Sequence, residues 1–464
     1  MTNGSNYNLD VIIGSQRKIA TITMRVGSET EISLIYHPAW IDQGFPISPH
    51  LPLNGKFDFR AVRNYLQNLL PEGKGLEDIT SNTTISKNNT FGLIRVIGQE
   101  TSGALSFKAP DQLPKPTHLR AVTDNELTDK LARFCNIGES ITYWDGRTRL
   151  SVAGVQDKLN FLEYDGKIGF GEGNLCSNKI FKFETGKAPL IAVNEFFTMM
   201  LARHSGIDVP KVEIRAYGGV RTFVIERFDR RLLADKSSVQ RRHVIDGCQA
   251  TNLPPSYKYE RQHGDEGDGI YMRDGVSFTR LFAVKTANDA AYRVKLLQWM
   301  TFNIVTRNYD AHGKNISFFV GSKGLELTPF YDLVNIEAII QEIKGRSQTS
   351  DSAKPDSNIP QNYAMSIGEY EQGTEGNFKN SITAFMLADF ANRFEISLAR
   401  IQLVMTQVTQ SVLNSLATCR QETLNHDLSA AEIKHVDLCI TIVTGAAEEL
   451  LTEINQIPEM EPLF

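Results

Sequence analysis

Over the first 120 residues, short apolar runs such as ATITMRV and EISLIYH alternate with turn-prone stretches such as DQGFPISPHLPLNGKF and LLPEGKG. The runs read as strands and the breaks as turns, so this part is a mixed helix-and-strand module. A proline-marked connector, KAPDQLPKPTHL (108–119), ends it, because proline withholds a backbone donor and stiffens the chain. From Thr142 to about Arg230 the chain is again strand-rich, with TRLSVAG, NFLEYDGKIGFGEG, NKIFKFE, VEIRAYGG and RTFVIERFD around one helical stretch, PLIAVNEFFTMMLARHSGI. Three strands, a helix and two more strands predict a small sheet with one crossing helix. Beyond Arg230, AAYRVKLLQWMTFNIVTRN, ITAFMLADFANRFE, LARIQLVMTQVTQSVLNSLATC and SAAEIKHVDLCITIVTGAAEELLTEI repeat apolar residues every three or four positions. That spacing predicts a nearly all-helical half. The fold class expected is α+β, in three parts: 1–120, 121–228 and 229–464.

A polar insert, KGRSQTSDSAKPDSNIPQN (344–362), can bury too little to offset its ordering entropy and is expected to be a mobile loop. The length of 464 residues agrees with two or three domains at roughly 100–200 residues each. With 41% hydrophobic and 22% charged residues the composition is that of an ordinary globular protein. A net charge of −5 offers no general attraction to nucleic acid, so direct DNA binding is not the default expectation. Cys135, Cys176, Cys248, Cys419 and Cys439 are odd in number and contain no C-x-x-C pair, which suits a reducing, cytoplasmic home. The start of the chain lacks the order of a signal peptide, and no stretch of about 18 apolar residues offers a membrane span.

The sharpest chemical signal is NYDAHGKN (308–315), directly after the apolar LLQWMTFNIV. Asp310 and Asn315 carry the spacing of a kinase catalytic loop, in which the Asp orients the attacking hydroxyl and the Asn coordinates magnesium. The plain alternative is a polar turn with Asp310 as a helix cap. Next come the strand ISFFV and LELTPFYDLVN, whose Asp332 stands 17 residues after Asn315 across an expected hairpin. Two oxygen ligands from successive loops suit magnesium, whereas a lone Asp after P-F-Y is more often an N-cap.

Upstream, Lys182 lies between Phe181 and Phe183. A buried ammonium needs an acceptor, and a nucleotide phosphate would serve, with Glu195 of VNEFFTMML as the ion-pairing carboxylate. Otherwise Lys182 sits on an edge strand and faces water. SVAGVQDK (151–158) occupies the position of a phosphate-covering loop but carries only Gly154. Ser151, Gln156 and Lys158 are its candidate phosphate contacts, and an ordinary hairpin connection is the alternative. VIERFDRR (224–231) falls where a hinge would, with Glu226, Arg227 and Phe228 against an adenine edge. Asp229, Arg230 and Arg231 are equally readable as a solvated charge cluster. The histidines form no zinc-ligand pattern and the serines no G-x-S-x-G elbow.

In order along the chain, LLPEG (69–73), SVAGVQDK, NKIFKF, VNE, VIERFDR, DGCQATNLPPSYKYE (246–260), DAHGKN and LTPFYD resemble the HipA kinases, toxin components of bacterial toxin–antitoxin pairs. The resemblance runs from roughly residue 20 to 370 and rests on several motifs in fixed order. It implies a kinase-like bilobal fold with an additional N-terminal module and a helical C-lobe, ATP and Mg2+ as cofactors, and phosphorylation of protein Ser/Thr. The growth-inhibiting target it implies is an aminoacyl-tRNA synthetase, typically the glutamyl enzyme. The implied partner is HipB, a small helix-turn-helix antitoxin through which DNA is met.

By the same resemblance Asp310 is the catalytic base and Asn315 and Asp332 bind magnesium. Lys182 meets the phosphates, supported by Glu195, and Glu226, Arg227 and Phe228 form the adenine hinge. Ala153, Gly154, Val155, Gln156, Asp157 and Lys158 form the phosphate loop, with His312 and Lys314 also at ATP. Ser151 aligns with the autophosphorylated serine. Two departures stand out: the family commonly reads D-G-H-A-K-N where this chain has D-A-H-G-K-N, and the insert after Lys344 is longer. A small-molecule or lipid kinase shares the D-x-x-x-x-N spacing but not the N-terminal module or SVAGVQDK. A catalytically silent partner of a repressor would not need Asp310, Asn315, Asp332 and Lys182 together.

Overall fold

The computed structural model describes residues 7–464 except 15, 29, 111, 114, 150–156, 186–187, 265–266, 348–358 and 368–380. Most of the phosphate-loop motif and the middle of the polar insert therefore lie outside the described residues. The chain forms two compact units, one of Met1–Thr185, Arg215–Pro255 and Ser317–Thr328, the other of Gly186–Ile214, Ser256–Ile316 and Pro329–Phe464. The mixed helix-and-sheet class is the one the hydrophobic pattern predicts.

In the first unit, β1 (Tyr7–Ile13), β2 (Arg17–Met24), β3 (Ile32–Tyr36) and β4 (Leu105–Lys108) make an antiparallel sheet in the order β3-β2-β1-β4. Strand β3 alternates buried and exposed residues along its whole length, as a strand with one face on a core must. Helix Phe59–Gln67 begins at Asp58, whose carboxylate accepts the Ala61 amide at 2.9 Å. Just beyond that helix, the Asn68 amide donates to the Leu253 carbonyl at 2.8 Å, tying this module to the segment 246–253.

The second sheet begins with β5 (His118–Val122). A two-residue-per-strand hairpin, β6 (Tyr143–Trp144) and β7 (Arg147–Thr148), follows. Then come β8 (Lys158–Tyr164), β9 (Lys167–Glu172), β10 (Lys179–Phe183), β11 (Val212–Tyr217) and β12 (Val220–Glu226). The sheet order is β11-β12-β10-β8-β9-β5. On one face Leu159, Phe161, Phe181 and Phe183 bury against Leu127, Leu131 and Phe134 of helix Asp124–Ile137. That helix is an element the strand-rich reading omits, although Thr123 caps it at Glu126 and Gly138 ends it with φ +70°, both ordinary boundary signals.

Beyond Arg230 the expectation of nearly continuous helix is corrected. Here β13 (Arg230–Leu232) pairs with β14 (Val239–Arg241), and β15 (Val244–Asp246) pairs with β16 (Ser317–Gly321), which turns back as β17 (Gly324–Leu327). Strands of three residues are too short to print an alternation in the sequence, and pairing holds them. The hairpin expected between Asn315 and Asp332 is β16–β17.

Among the described residues the second unit is mainly helical, built from Ile191–His204, Phe278–Ala283, Asp289–Val305, Ile336–Ser347, Ala384–Arg393, Leu398–Leu424 and Ala430–Gln456. Helix Asp289–Val305 is buried without interruption from Trp299 to Val305, which makes it the central helix of this core. Helix Ala430–Gln456 opens with a capping box between Ser429 and Glu432. No helix among the described residues is long and apolar enough to cross a membrane.

Candidate active site

The loop carrying Asp310 and Asn315 is shaped by the end of the central helix. Arg307 takes a left-handed turn at φ +50°, and Asn308 then donates to Asn303 Oδ1 at 2.7 Å while accepting the Asp310 amide at 3.2 Å. The His312 ring nitrogen accepts the Lys314 amide at 3.3 Å and so caps the turn Gly313–Asn315. Asn315 Nδ2 donates back to the Asp310 carbonyl at 2.8 Å. With its amide nitrogen so engaged, Asn315 Oδ1 makes no hydrogen bond among the described residues, which leaves an oxygen of the kind a hard cation takes.

Asp310 does not cap a helix. Its Oδ1 accepts the Tyr259 hydroxyl at 2.5 Å, while Oδ2 has no hydrogen-bond partner among the described residues. The Tyr259 ring also stands edge-on to His312, with centroids 5.0 Å apart. The Tyr259 segment is pinned on both sides: Gly313 N–H donates to the Lys258 carbonyl at 2.9 Å and Val276 N–H to Tyr257 at 2.9 Å. Its next residue, Glu260, accepts the Ser366 amide, and burial raises the Glu260 carboxyl above its ordinary value. Residue-by-residue reading gives Tyr259 no role, because a tyrosine 51 positions away from its partner leaves no spacing signal.

Asp332 lies on the neighbouring loop with φ +53°, a left-handed conformation that a non-glycine residue adopts at a cost and that concentrates at functional positions. Phe330 stacks on Trp299 at 6.0 Å, Tyr331 Oη donates to the Lys314 carbonyl at 2.7 Å, and Asn308 Nδ2 reaches the Asp332 carbonyl at 3.5 Å. Helix Ile336–Ser347 is capped by Asn335, which accepts the Ala338 amide at 2.9 Å, so capping is not the role of Asp332. Asn335 is in turn clamped by Asn194, which accepts its amide at 2.8 Å and donates to its carbonyl at 2.9 Å. Glu195, buried on the same helix, is thereby held to the segment that follows Asp332. The second unit thus carries Asp310, His312, Lys314, Asn315 and Asp332 on two hydrogen-bonded loops, and Glu195 on the helix that Asn194 clamps to Asn335.

In the first unit, Lys182 stands on β10, an interior strand between β12 and β8, and only 7% of it is exposed. The edge-strand reading is therefore excluded. Its cross-strand neighbour is Lys158, also buried, and two like charges placed directly opposite on a sheet call for anions nearby. Lys182 Nζ is 5.8 Å from the Phe223 ring centre. Asp157 accepts the Thr185 hydroxyl at 2.6 Å. Ser151, Ala153, Gly154, Val155 and Gln156 lie outside the described residues.

Strand β12 ends at Glu226, and the Arg227 amide donates to Asn178 at 2.9 Å. Arg231 is exposed, as the solvated-cluster reading has it, but for Asp229 and Arg230 that reading is corrected. Arg227, Asp229 and Arg230 are buried, with both guanidiniums on Asp229, at 2.9 Å from Arg227 and 2.5 Å from Arg230. Asp229 also accepts the Gly103 amide at 2.9 Å. Burial alone would raise the Asp229 carboxyl, but the two arginines outweigh it and hold the group well below the usual carboxylate range. Arg230 Nη2 donates to the Thr101 carbonyl at 2.7 Å, so the region after the expected hinge is anchored on the N-terminal module. The sequence shows the charges, but only folding buries them.

A loop with a carboxylate and an amide, a second carboxylate on the next loop, and paired buried lysines on a sheet are the parts of a phosphoryl-transfer enzyme of the kinase class. The sequence matches the HipA N-terminal domain over residues 9–108 and the HipA-like C-terminal domain over residues 150–416. It is 45% identical over 305 residues to the serine/threonine-protein kinase toxin HipA of Shewanella oneidensis, covering 65% of this chain and 69% of that one. A solved complex of HipA, HipB and operator DNA from Shewanella oneidensis MR-1 contains a chain 34% identical, with a TM-score of 0.83 over 97% of this chain and 99% of that chain. The chain belongs to the HipA family of serine/threonine kinases.

Proposed function

We propose that this HipA-family chain is a toxin-type kinase that moves the γ-phosphate of ATP to a serine or threonine of a protein substrate, an aminoacyl-tRNA synthetase and foremost the glutamyl enzyme. Asp310 is the catalytic base, receiving or orienting the proton of the attacking hydroxyl through Oδ2, which has no hydrogen-bond partner among the described residues, and Tyr259 fixes the direction of its carboxylate. Asn315 Oδ1 and Asp332 would hold Mg2+, which when bound neutralises phosphate charge. Lys182 and Lys158 meet the phosphates, Glu195 supports Lys182, and Glu226, Arg227 and Phe228 border the adenine, Arg227 through its backbone.

Ser151 is the autophosphorylated residue, at the start of the phosphate-loop segment 151–158 whose residues Ala153 to Lys158 meet ATP. The chain is divided as an N-terminal module (1–120), a strand-rich lobe (121–228) and a C-terminal lobe (229–464) that is helical apart from the short strands β13 to β17, works in the cytoplasm, and is restrained by a HipB-like antitoxin through which it meets DNA. The observation that carries the reading is the closed loop in which Asn315 returns to Asp310. The test is incubation with γ-labelled ATP and cell extract, followed by identification of the labelled protein. Asp310→Asn is expected to abolish transfer while leaving ATP binding largely intact, with Asp332→Ala as a second control. Equal labelling by Asp310→Asn refutes the assignment.

A further inference from the structure

In the first unit a cavity of about 1120 Å³ lies among the small sheet, strands β8 and β9 and the β13–β14 pair. Among its described lining residues eight are Lys or Arg and four are Asp or Glu, against a net charge of −5 for the whole chain. On one wall the buried carboxylate of Glu172 is shared by three cations: Arg149 at 2.6 Å, Lys115 at 3.6 Å, and Arg147 in direct contact. Asp145 approaches Arg149 at 3.3 Å but is itself held by Arg120 at 2.9 Å. The buried Nε of Arg149 has no hydrogen-bond partner among the described residues. Elsewhere in the lining, Lys108 and Arg231 make no ion pair among the described residues.

We infer that this cavity binds a small anion carrying more than one phosphate group, at a site separate from the proposed nucleotide site. Arg120 also pairs with Glu126 at 2.5 Å, so the network sets four cations against three carboxylates and leaves positive charge uncompensated where desolvation is costly. Burial, and then the charges of Arg147 and Arg149, pull the Lys115 ammonium below the ordinary lysine value. Burial and then Arg147 bring Arg149 down to about 10. Guanidinium forks match phosphate oxygens two at a time, and a phosphate group offers several acceptors at once, whereas a peptide carboxylate offers two. The volume is that of a small-molecule site, and Lys108 and Arg231 supply further cations for a second phosphate. Among the described lining residues only Phe228 belongs to the proposed nucleotide site.

The probe is sodium tripolyphosphate, titrated calorimetrically into the full chain without magnesium. Wild type, Lys108→Ala/Lys115→Ala and Lys182→Ala are compared. Saturable binding is expected in wild type and in Lys182→Ala, weakened by roughly tenfold or more in the double lysine variant, which exchanges only side chains with solvent access. Transfer from ATP to extract protein is expected to be unchanged in that double variant. Absence of saturable binding in wild type, or equal affinity in the double variant, overturns the site. Loss of binding in Lys182→Ala with retention in the double variant also overturns it, by assigning the phosphates to the nucleotide site.

Discussion

Replacing Tyr259 by Phe removes one hydroxyl from the Asp310 carboxylate and leaves the ring in place. The lost contact is an O–H···O bond of 2.5 Å to a charged acceptor, a kind that contributes about 1.5–3 kcal/mol net. At about 1.4 kcal/mol per factor of ten, kcat should fall by roughly tenfold to a hundredfold if the carboxylate must point in one direction during transfer. KM for ATP should stay within about twofold, since the hydroxyl reaches the carboxylate and the proposed nucleotide contacts lie elsewhere. The melting temperature should hardly move, because the ring keeps its edge contact with His312 and the segment stays pinned through its backbone. The assay is initial-rate transfer from γ-labelled ATP at varied ATP, with thermal unfolding on the same samples. An unchanged kcat, or a loss that follows the melting temperature, would refute a positioning role for Tyr259. Full activity in Asp310→Asn would instead remove the catalytic assignment itself.

Three further outcomes concern stability. Burial pushes the His243 imidazole down to about 4, so between about pH 6.5 and pH 4 the unfolded chain holds the extra proton and stability falls as pH falls, by about 3 kcal/mol across that window. Urea unfolding at pH 7 and pH 4.5 should show a smaller loss in His243→Gln than in wild type, and equal losses would contradict this. Asp229→Ala strands two buried guanidiniums and should cost about 3–5 kcal/mol, while Asp165→Ala, which removes an exposed partner of Lys236, should cost less than about 1 kcal/mol. Gly313→Ala, the residue the family motif would put there, brings a Cβ to 2.5 Å from Val276 Cγ2. It should destabilise by about 1–3 kcal/mol, and Val276→Ala should relieve most of that in a double-mutant cycle.

Much of the fold was legible because its long elements repeat their pattern. Helices Leu398–Leu424 and Ala430–Gln456 span 27 residues each, enough turns for a three- and four-residue spacing to stand out. Strands β2, β3, β8, β10 and β12 span five residues or more each and contain several apolar, β-branched or aromatic residues. The three-residue strands β13, β14 and β15 carried none, and helix Asp124–Ile137 is polar enough to pass for connector. At the candidate site, spacing within one loop drew attention to Asp310 and Asn315, since both are presented by the same few residues.

By itself the amino-acid order determined the family, the mixed class of the fold and the local loop from Asn308 to Asn315, all of which depend on neighbours in the chain. Only tertiary structure decided that Lys182 is interior, that Asp229 and Arg230 are buried against Gly103 and Thr101 with Arg227 buried on Asp229, and that Tyr259 meets Asp310. Burial and long-range hydrogen bonds are properties of the packed molecule. A lysine or an aspartate reads the same in sequence whether water or another side chain completes its surroundings.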